Sequence, residues 1–227
     1  MFKLIELNIS EPVNQQVYRT LRRAIITCQV LPGILLSEKD ISTQFNVSRQ
    51  PVREAFIKLA EAGLVKILPQ RGTFVTKISV KKVIDGQFIR EAVECAIIKR
   101  AAQEISDADL LLLEQNLKEQ IDANKRKDIR YFLEKDDEFH QILMNVVDCP
   151  MAWETVENIK AMMDRVRYLT LEDISPPEDL VKQHEKIVIA LKKHDPEMAA
   201  LALHEHLSTI LKTIKLVSQQ HNEWFVD

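Results

Sequence analysis

Glycine is scarce in this chain. Of 227 residues only four are glycine; three of these lie between Gly33 and Gly72, and none follows Gly86. Prolines beyond that point cluster at 150, 176–177 and 196, so the C-terminal part is punctuated as a series of long helices. Cysteine is as sparse. Cys28, Cys95 and Cys149 are odd in number and lack C-x-x-C spacing, which suits a reducing cytoplasm and small buried apolar side chains. No uninterrupted apolar stretch approaches the ~20 residues of a membrane span, and MFKLIELNIS is no signal peptide. The chain has no low-complexity tract and no internal repeat. A net charge of −3 argues nothing by itself about nucleic acid, but its distribution does. Residues 1–77 hold 11 Lys/Arg against 6 Asp/Glu, and residues 78–227 hold 20 against 28. A basic head on an acidic body is the footprint of a DNA-binding module carried by something else. Its modest excess implies few contacts per subunit, hence a dimer.

The head is most legible over residues 37–76. Val13–Cys28 reads as a first helix, with Val17, Leu21 and Ile25 at i, i+4, i+8. Ser37 and Asp40 mark the start of a short second helix with Ile41 and Phe45 on its apolar face, and Asn46 suits the left-handed residue that stops it. Ser48 caps a third helix, Pro51 falls in its first turn, and Gly63 ends it. Val52, Phe56, Leu59 and Ala60 face inward. Leu64–Leu68 and Thr73–Thr76, joined by Pro69-Gln70-Arg71-Gly72, form a β-hairpin. Helix, turn, helix and hairpin make a winged helix-turn-helix. Ser48, Arg49, Gln50 and Arg53 then occupy exposed first turns from which side chains reach base edges in a major groove. Lys39 and Arg71 at the wing tip are placed for phosphate.

SRQPVREAFIKLAEAGLV followed by PQRGTFV resembles the GntR family of bacterial transcription regulators, over the whole N-terminal third. The resemblance implies operator contacts by Lys39, Arg49, Arg53 and Gly72. A lone arginine pair would merely solvate a surface helix, but within the full motif it is a DNA-reading pair.

The body, residues 79–227 against a head of 1–78, divides into helices at roughly 80–104, 107–125, 129–148, 151–172, 177–193 and 196–220. No segment alternates with period two, so an all-α antiparallel bundle is expected. Three apolar stripes carry polar residues. Positions 133, 136, 140, 143 and 147 read Leu, Asp, His, Leu, Val; 180, 184, 187 and 191 read Leu, His, Ile, Leu; and 199, 202, 206, 210 and 213 read Ala, Ala, His, Ile, Thr. A buried carboxylate needs a partner. Asp136, His140, His184 and His206 together suit a divalent ion such as Zn²⁺, Ni²⁺ or Mn²⁺. A single histidine on such a stripe is ordinarily a hydrogen-bonded core residue; the Asp136–His140 pair, one turn apart on one face, turns the set toward metal. His204 falls on the exposed side, and His194 and His221 sit near helix ends, facing solvent.

F-x3-D-x2-FH at 132–140, HEKIVIAL at 184–191 and D-x10-H from Asp195 to His206 are similar to the FCD ligand-binding domain of FadR-type GntR regulators, over about residues 80–220. The resemblance implies metal ligation by Asp136, His140, His184 and His206, dimerisation, and a role for Arg90 and Glu94, which match the family's R-x3-E. Asp148-Cys149-Pro150 departs from the family's pattern and bears on the pocket's shape. The chain looks closest to regulators of sugar-acid catabolism. Its expected function is a cytoplasmic, homodimeric repressor that binds a palindromic operator and responds to a small organic acid held by the metal and by Arg90 or Arg165. The competing reading is an enzyme, since a carboxylate–histidine site also activates water or dioxygen. The bundle offers no evident nucleophile, separate general base or cofactor motif, and a regulator needs none.

Overall fold

The structure, a computed structural model, describes residues 8 and 10–226; most of MFKLIELNIS lies outside the described residues. In chain order it runs α1 (Val13–Ile26), β1 (Leu35–Leu36), α2 (Glu38–Phe45), α3 (Arg49–Glu61), β2 (Val65–Leu68), β3 (Gly72–Val75), β4 (Ile78–Ser79), α4 (Val80–Glu104), α5 (Asp107–Lys125), α6 (Ile129–Val146), α7 (Pro150–Asp173), α8 (Pro177–Lys192), α9 (Pro196–Leu207), α10 (Thr209–Gln220), a 3₁₀ turn at Asn222–Trp224 and β5 (Phe225–Val226). It divides into two compact units. One runs through Lys81 and takes in the segment from His221 onward; the other is Lys82–Gln220.

In the first unit Val17, Leu21 and Ile25 of α1 meet Phe56 and Leu59 of α3 in one core with Ile41 and Phe45 of α2. The turn between α2 and α3 is built as its residues dictate. Ser37 accepts a cap bond from the Asp40 N–H, and Asn46 closes α2 with φ 52°. Ser48 stands at the N-cap of α3 with extended backbone, but its hydroxyl makes no cap bond. α1 ends at Ile26, short of the expected Cys28, whose φ of 52° is left-handed and cannot continue a helix.

The wing is a three-stranded antiparallel sheet ordered β1-β3-β2, with Leu35 opposite Phe74 and Ile67 opposite Thr73. β1 escapes the sequence reading because two residues carry no alternation. The same holds for β4 and β5, a two-residue parallel pair that joins Ile78 to Phe225 and seats the chain's end on the first unit.

In the second unit α5 packs on α6 and α8, α8 on α9, and α7 on α6 and α10. Phe139, Leu113, Ile187 and Leu203 are fully buried in its largest apolar cluster. The expected single helix 196–220 is broken at Ser208. The Ser208 hydroxyl donates back to the His204 carbonyl (2.7 Å), which also accepts from the Ser208 N–H (2.9 Å), and that of Thr209 to Glu205 (3.4 Å), side-chain bonds of the kind that often bend a helix. The cysteines are half-buried rather than buried as expected, though Cys95 and Cys149 do pack against the apolar clusters of the second unit.

Candidate metal centre and nucleic-acid interface

Asp136 and His140 on α6, His184 on α8 and His206 on α9 converge in the bundle, one donor atom from each lying within 4.8 Å of every other. All four are buried; His140 and His184 are 0 % exposed. The Nε2 atoms of His140 and His206 are 3.2 Å apart, those of His184 and His206 3.3 Å, and Asp136 Oδ1 is 3.5 Å from His184 Nε2. Ligands about 2.1 Å from a common ion are separated by about 3.0–3.4 Å; the two imidazole pairs meet that spacing, while Asp136, 3.5 Å from His184 Nε2 and 4.0 Å from His140 Nε2, stands just outside it.

The outer nitrogens explain why the inner ones face one another. His140 Nδ1 lies 2.5 Å from the Glu94 carboxylate, His184 Nδ1 2.8 Å from Gln120 Oε1, and His206 Nδ1 3.0 Å from Gln183 Oε1. Gln120 and Gln183 accept these hydrogen bonds, and Glu94, whose contact with His140 Nδ1 is an ion-pair distance without hydrogen-bond geometry, is an anion that a ring N–H and not a lone pair faces; each Nδ1 therefore carries the hydrogen and each Nε2 presents a lone pair to the centre. Three lone pairs at hydrogen-bonding distance with no proton between them repel. A cation at their focus removes that repulsion, and the donor set, one carboxylate and three imidazoles, fits a borderline divalent ion.

Electrostatics keep the ligands in metal-binding form. Burial holds the His184 imidazole neutral, pushing its pKa down to about 3 despite the partial offset of Asp136. Burial and the neighbouring His184 and His140 press His206 the same way. Burial, the largest single effect, would raise the Asp136 carboxyl, but Arg167 together with the three imidazoles outweighs it and holds Asp136 ionised. Glu94 is likewise kept ionised at about 2, its burial overcome by Arg90 and His140.

Beside the cluster lies a cavity of about 60 Å³, lined among others by Arg90, Asp136, Arg167, Thr170, Ser175 and His206. Arg90 donates from Nε to Glu94 (2.5 Å), while its Nη2 is buried without a hydrogen-bond partner among the described residues. Arg167 grips Asp136 and also Asp137 (2.9 Å) and Asp164 (2.8 Å). Arg165, the sequence's other candidate anchor, is buried but does not line this cavity; two positions along a helix turn a side chain to the opposite side. Glu94 does not line it either, because both its oxygens are taken by Arg90 and His140. His204 is exposed and meets Glu91 at 2.8 Å, whereas His206 points inward.

The residues that reading of the sequence missed are Arg167, Gln183, Asn116 and Gln120. The last two sit at i, i+4 on the buried face of α5 with Leu113 and Leu117, and a polar pair on an apolar stripe was a usable signal.

On the head, Lys39, Ser48, Arg49, Gln50, Arg53, Arg71 and Gly72 are all exposed. Arg53 makes a forked pair with Glu38 of α2 (3.2 and 2.9 Å), and Gln50 donates to Glu54 (2.9 Å), itself held by Asn14 (2.7 Å). Gly72 has φ 104°, and a Cβ there would meet Leu35 Cδ1 at 2.6 Å. Glycine is thus required by the wing's own backbone and by Leu35, whatever it meets outside.

Comparison with known proteins bears on both units. The family described as bacterial regulatory proteins, gntR family, matches residues 13–75, and the FCD domain matches residues 87–209. The chain is 51 % identical to the HTH-type transcriptional repressor RspR of Escherichia coli K12, over 97 % of this chain and 96 % of that one. It is 35 % identical to an uncharacterized HTH-type transcriptional regulator in an unstable DNA locus of Streptomyces ambofaciens, over 93 % and 89 %. Escherichia coli McbR/YncC shares the fold, with a TM-score of 0.78 at 22 % identity over 93 % of this chain and 100 % of that one.

Proposed function

Because this chain belongs to the GntR family of bacterial regulatory proteins and carries an FCD domain, we propose that it is a repressor whose hold on its operator is set by a small carboxylate bound beside a metal ion. It is a DNA-binding transcriptional regulator, and its relatives are regulators rather than enzymes. Residues 1–78 serve as the operator-binding head and 79–227 as the effector-binding, dimerising body. Two heads related by a two-fold axis read a palindromic site in the cytoplasm. Arg49, Gln50 and Arg53, exposed at the start of α3, are placed for base edges, and Lys39 and Arg71 for phosphate.

One observation carries the effector reading: three imidazole lone pairs and a carboxylate converge next to a cavity lined by Arg90, whose Nη2 has no hydrogen-bond partner among the described residues. Asp136, His140, His184 and His206 would hold the ion, which when bound supplies a Lewis-acidic site for a carboxylate oxygen. Arg90 and Arg167 meet the remaining negative charge. At about 60 Å³ the cavity has room for about four to six water molecules. A sugar acid that enters displaces part of a lining to which α7, α8, α9 and α10 all contribute. That displacement is the means by which occupancy alters the placement of two heads in a dimer.

Elemental analysis and native mass spectrometry of the purified dimer test the reading. About one divalent ion per chain is expected, lost in His206→Ala and kept in His204→Ala, with small carboxylic acids changing operator affinity only in the loaded protein. Loading that survives His206→Ala, or turnover of the acids, would falsify it.

A further inference from the structure

We propose that Asn116 and Gln120, on a helix that supplies no ligand, set the tautomer of His184 and thereby turn its Nε2 lone pair into the cluster; the proposal rests on the metal reading above. The chain of bonds begins at a group that can only accept, the backbone carbonyl of Lys135. Asn116 Nδ2 donates to it (3.0 Å), which leaves Asn116 Oδ1 to face Gln120. Gln120 Nε2 donates to that oxygen (2.7 Å), so Gln120 Oε1 faces His184 Nδ1 at 2.8 Å. Only an Nδ1–H completes the series.

Asn116 is 3 % exposed and Gln120 and His184 are 0 % exposed, so solvent offers no substitute partner. Reversing either amide sets oxygen against oxygen or N–H against N–H in a buried place, which is strongly unfavourable. The ring itself is held by stacking on Phe139, centroids 4.3 Å apart. One carbonyl on α6 therefore dictates, through α5, the state of a ligand on α8.

The other amide-held ligand is not so constrained. Gln183, which accepts from His206 Nδ1, is otherwise met by the Thr209 hydroxyl at 3.3 and 3.5 Å, a group that donates or accepts equally. His184 is thus the pre-set ligand and His206 the adjustable one.

The test uses full-length protein labelled with ¹⁵N-histidine and stripped by chelator, with two-bond nitrogen–proton correlation spectra to read the tautomers and Zn²⁺ competition against a chromophoric chelator to read affinity. Wild-type His184 is expected as Nδ1–H. Gln120→Met, similar in shape but with only a weakly accepting sulfur, should move His184 toward Nε2–H and weaken Zn²⁺ binding about 10–100-fold. Gln120→Glu keeps an acceptor for His184 Nδ1 and should keep the tautomer, while its second oxygen, set against Asn116 Oδ1, loses the donor that Gln120 Nε2 supplies. A residue needed only to fill space would rank Met above Glu. Should Gln120→Met fail to fold, Asn116→Leu removes the anchor one step back and should give the same shift in smaller degree. An Nε2–H tautomer in wild type, or Gln120→Met with tautomer and affinity unchanged, overturns this role alone. Wild-type protein that takes up no Zn²⁺ overturns the metal reading, and this role with it.

Discussion

At Arg53 the guanidinium is engaged before DNA arrives, forked onto Glu38. The pair is exposed and holds little energy in water, and under the proposed role of Arg53 it is exchanged for a base edge. Arg53→Ala should weaken operator binding by roughly 1–3 kcal/mol and relax preference at one base pair per half-site. Titration against operator and random DNA checks it; equal losses on both would mean that Arg53 contacts phosphate. The buried imidazoles make a second residue-scale prediction. His184 titrates near 6.5 when unfolded and is pushed to about 3 when folded, so between those values the unfolded chain binds more protons and stability falls as pH falls. His206 acts in the same direction. Glu94, at about 2 against 4.5, extends the loss below 4.5. The melting temperature of chelated protein should therefore drop as pH is lowered from about 6.5. A profile flat between about pH 7 and about 5 would contradict the burial of neutral imidazole.

Among the elements, the wing depends on one backbone position. Gly72 combines φ 104° with the approach of Leu35, so Gly72→Ala meets two separate obstacles. The clash is with the end of a flexible side chain, but the left-handed backbone remains strained. The substitution should destabilise the head by about 1–3 kcal/mol, and adding Leu35→Ala should restore only part of it. Denaturant unfolding of the single and double variants measures this; full rescue would mean that contact, not φ, sets the penalty. The helices were legible from caps and periodicity, and α4, α5 and α8 lie within a residue of expectation. The break at Ser208 was not. A serine that bonds back to the fourth preceding carbonyl bends a helix only where tertiary packing favours the bend. The inward stripe survives it: Ala199, Ala202, His206, Ile210 and Thr213 are all buried.

For the whole molecule the chain's end matters to its beginning. Phe225 is 8 % exposed, and its strand pairs with Ile78, 1 % exposed, at the point where the wing gives way to α4. Deleting residues 221–227 uncovers that position. Losing one large buried side chain is worth about 1.5–3 kcal/mol, so the deletion should lower the head's unfolding temperature and leave metal uptake unchanged. Calorimetry of the truncated chain, with metal analysis alongside, checks both, and an unaltered head transition would show that the strand pair adds no stability.

The sequence by itself determined what local physics governs. Caps, left-handed stops and apolar period placed the winged head and the body's helices, and the same period put Asp136, His140, His184 and His206 on inward stripes, because residues one turn apart share a face whatever the partner helix. Tertiary structure alone decided which groups meet across helices. Arg167 rather than Arg165 lines the cavity, Glu94 serves His140 and Arg90, and Gln120 and Gln183 orient two imidazoles. Those pairings depend on how each helix is rotated and how far it slides against its neighbours. Such freedoms are settled only when whole faces pack together to interior density.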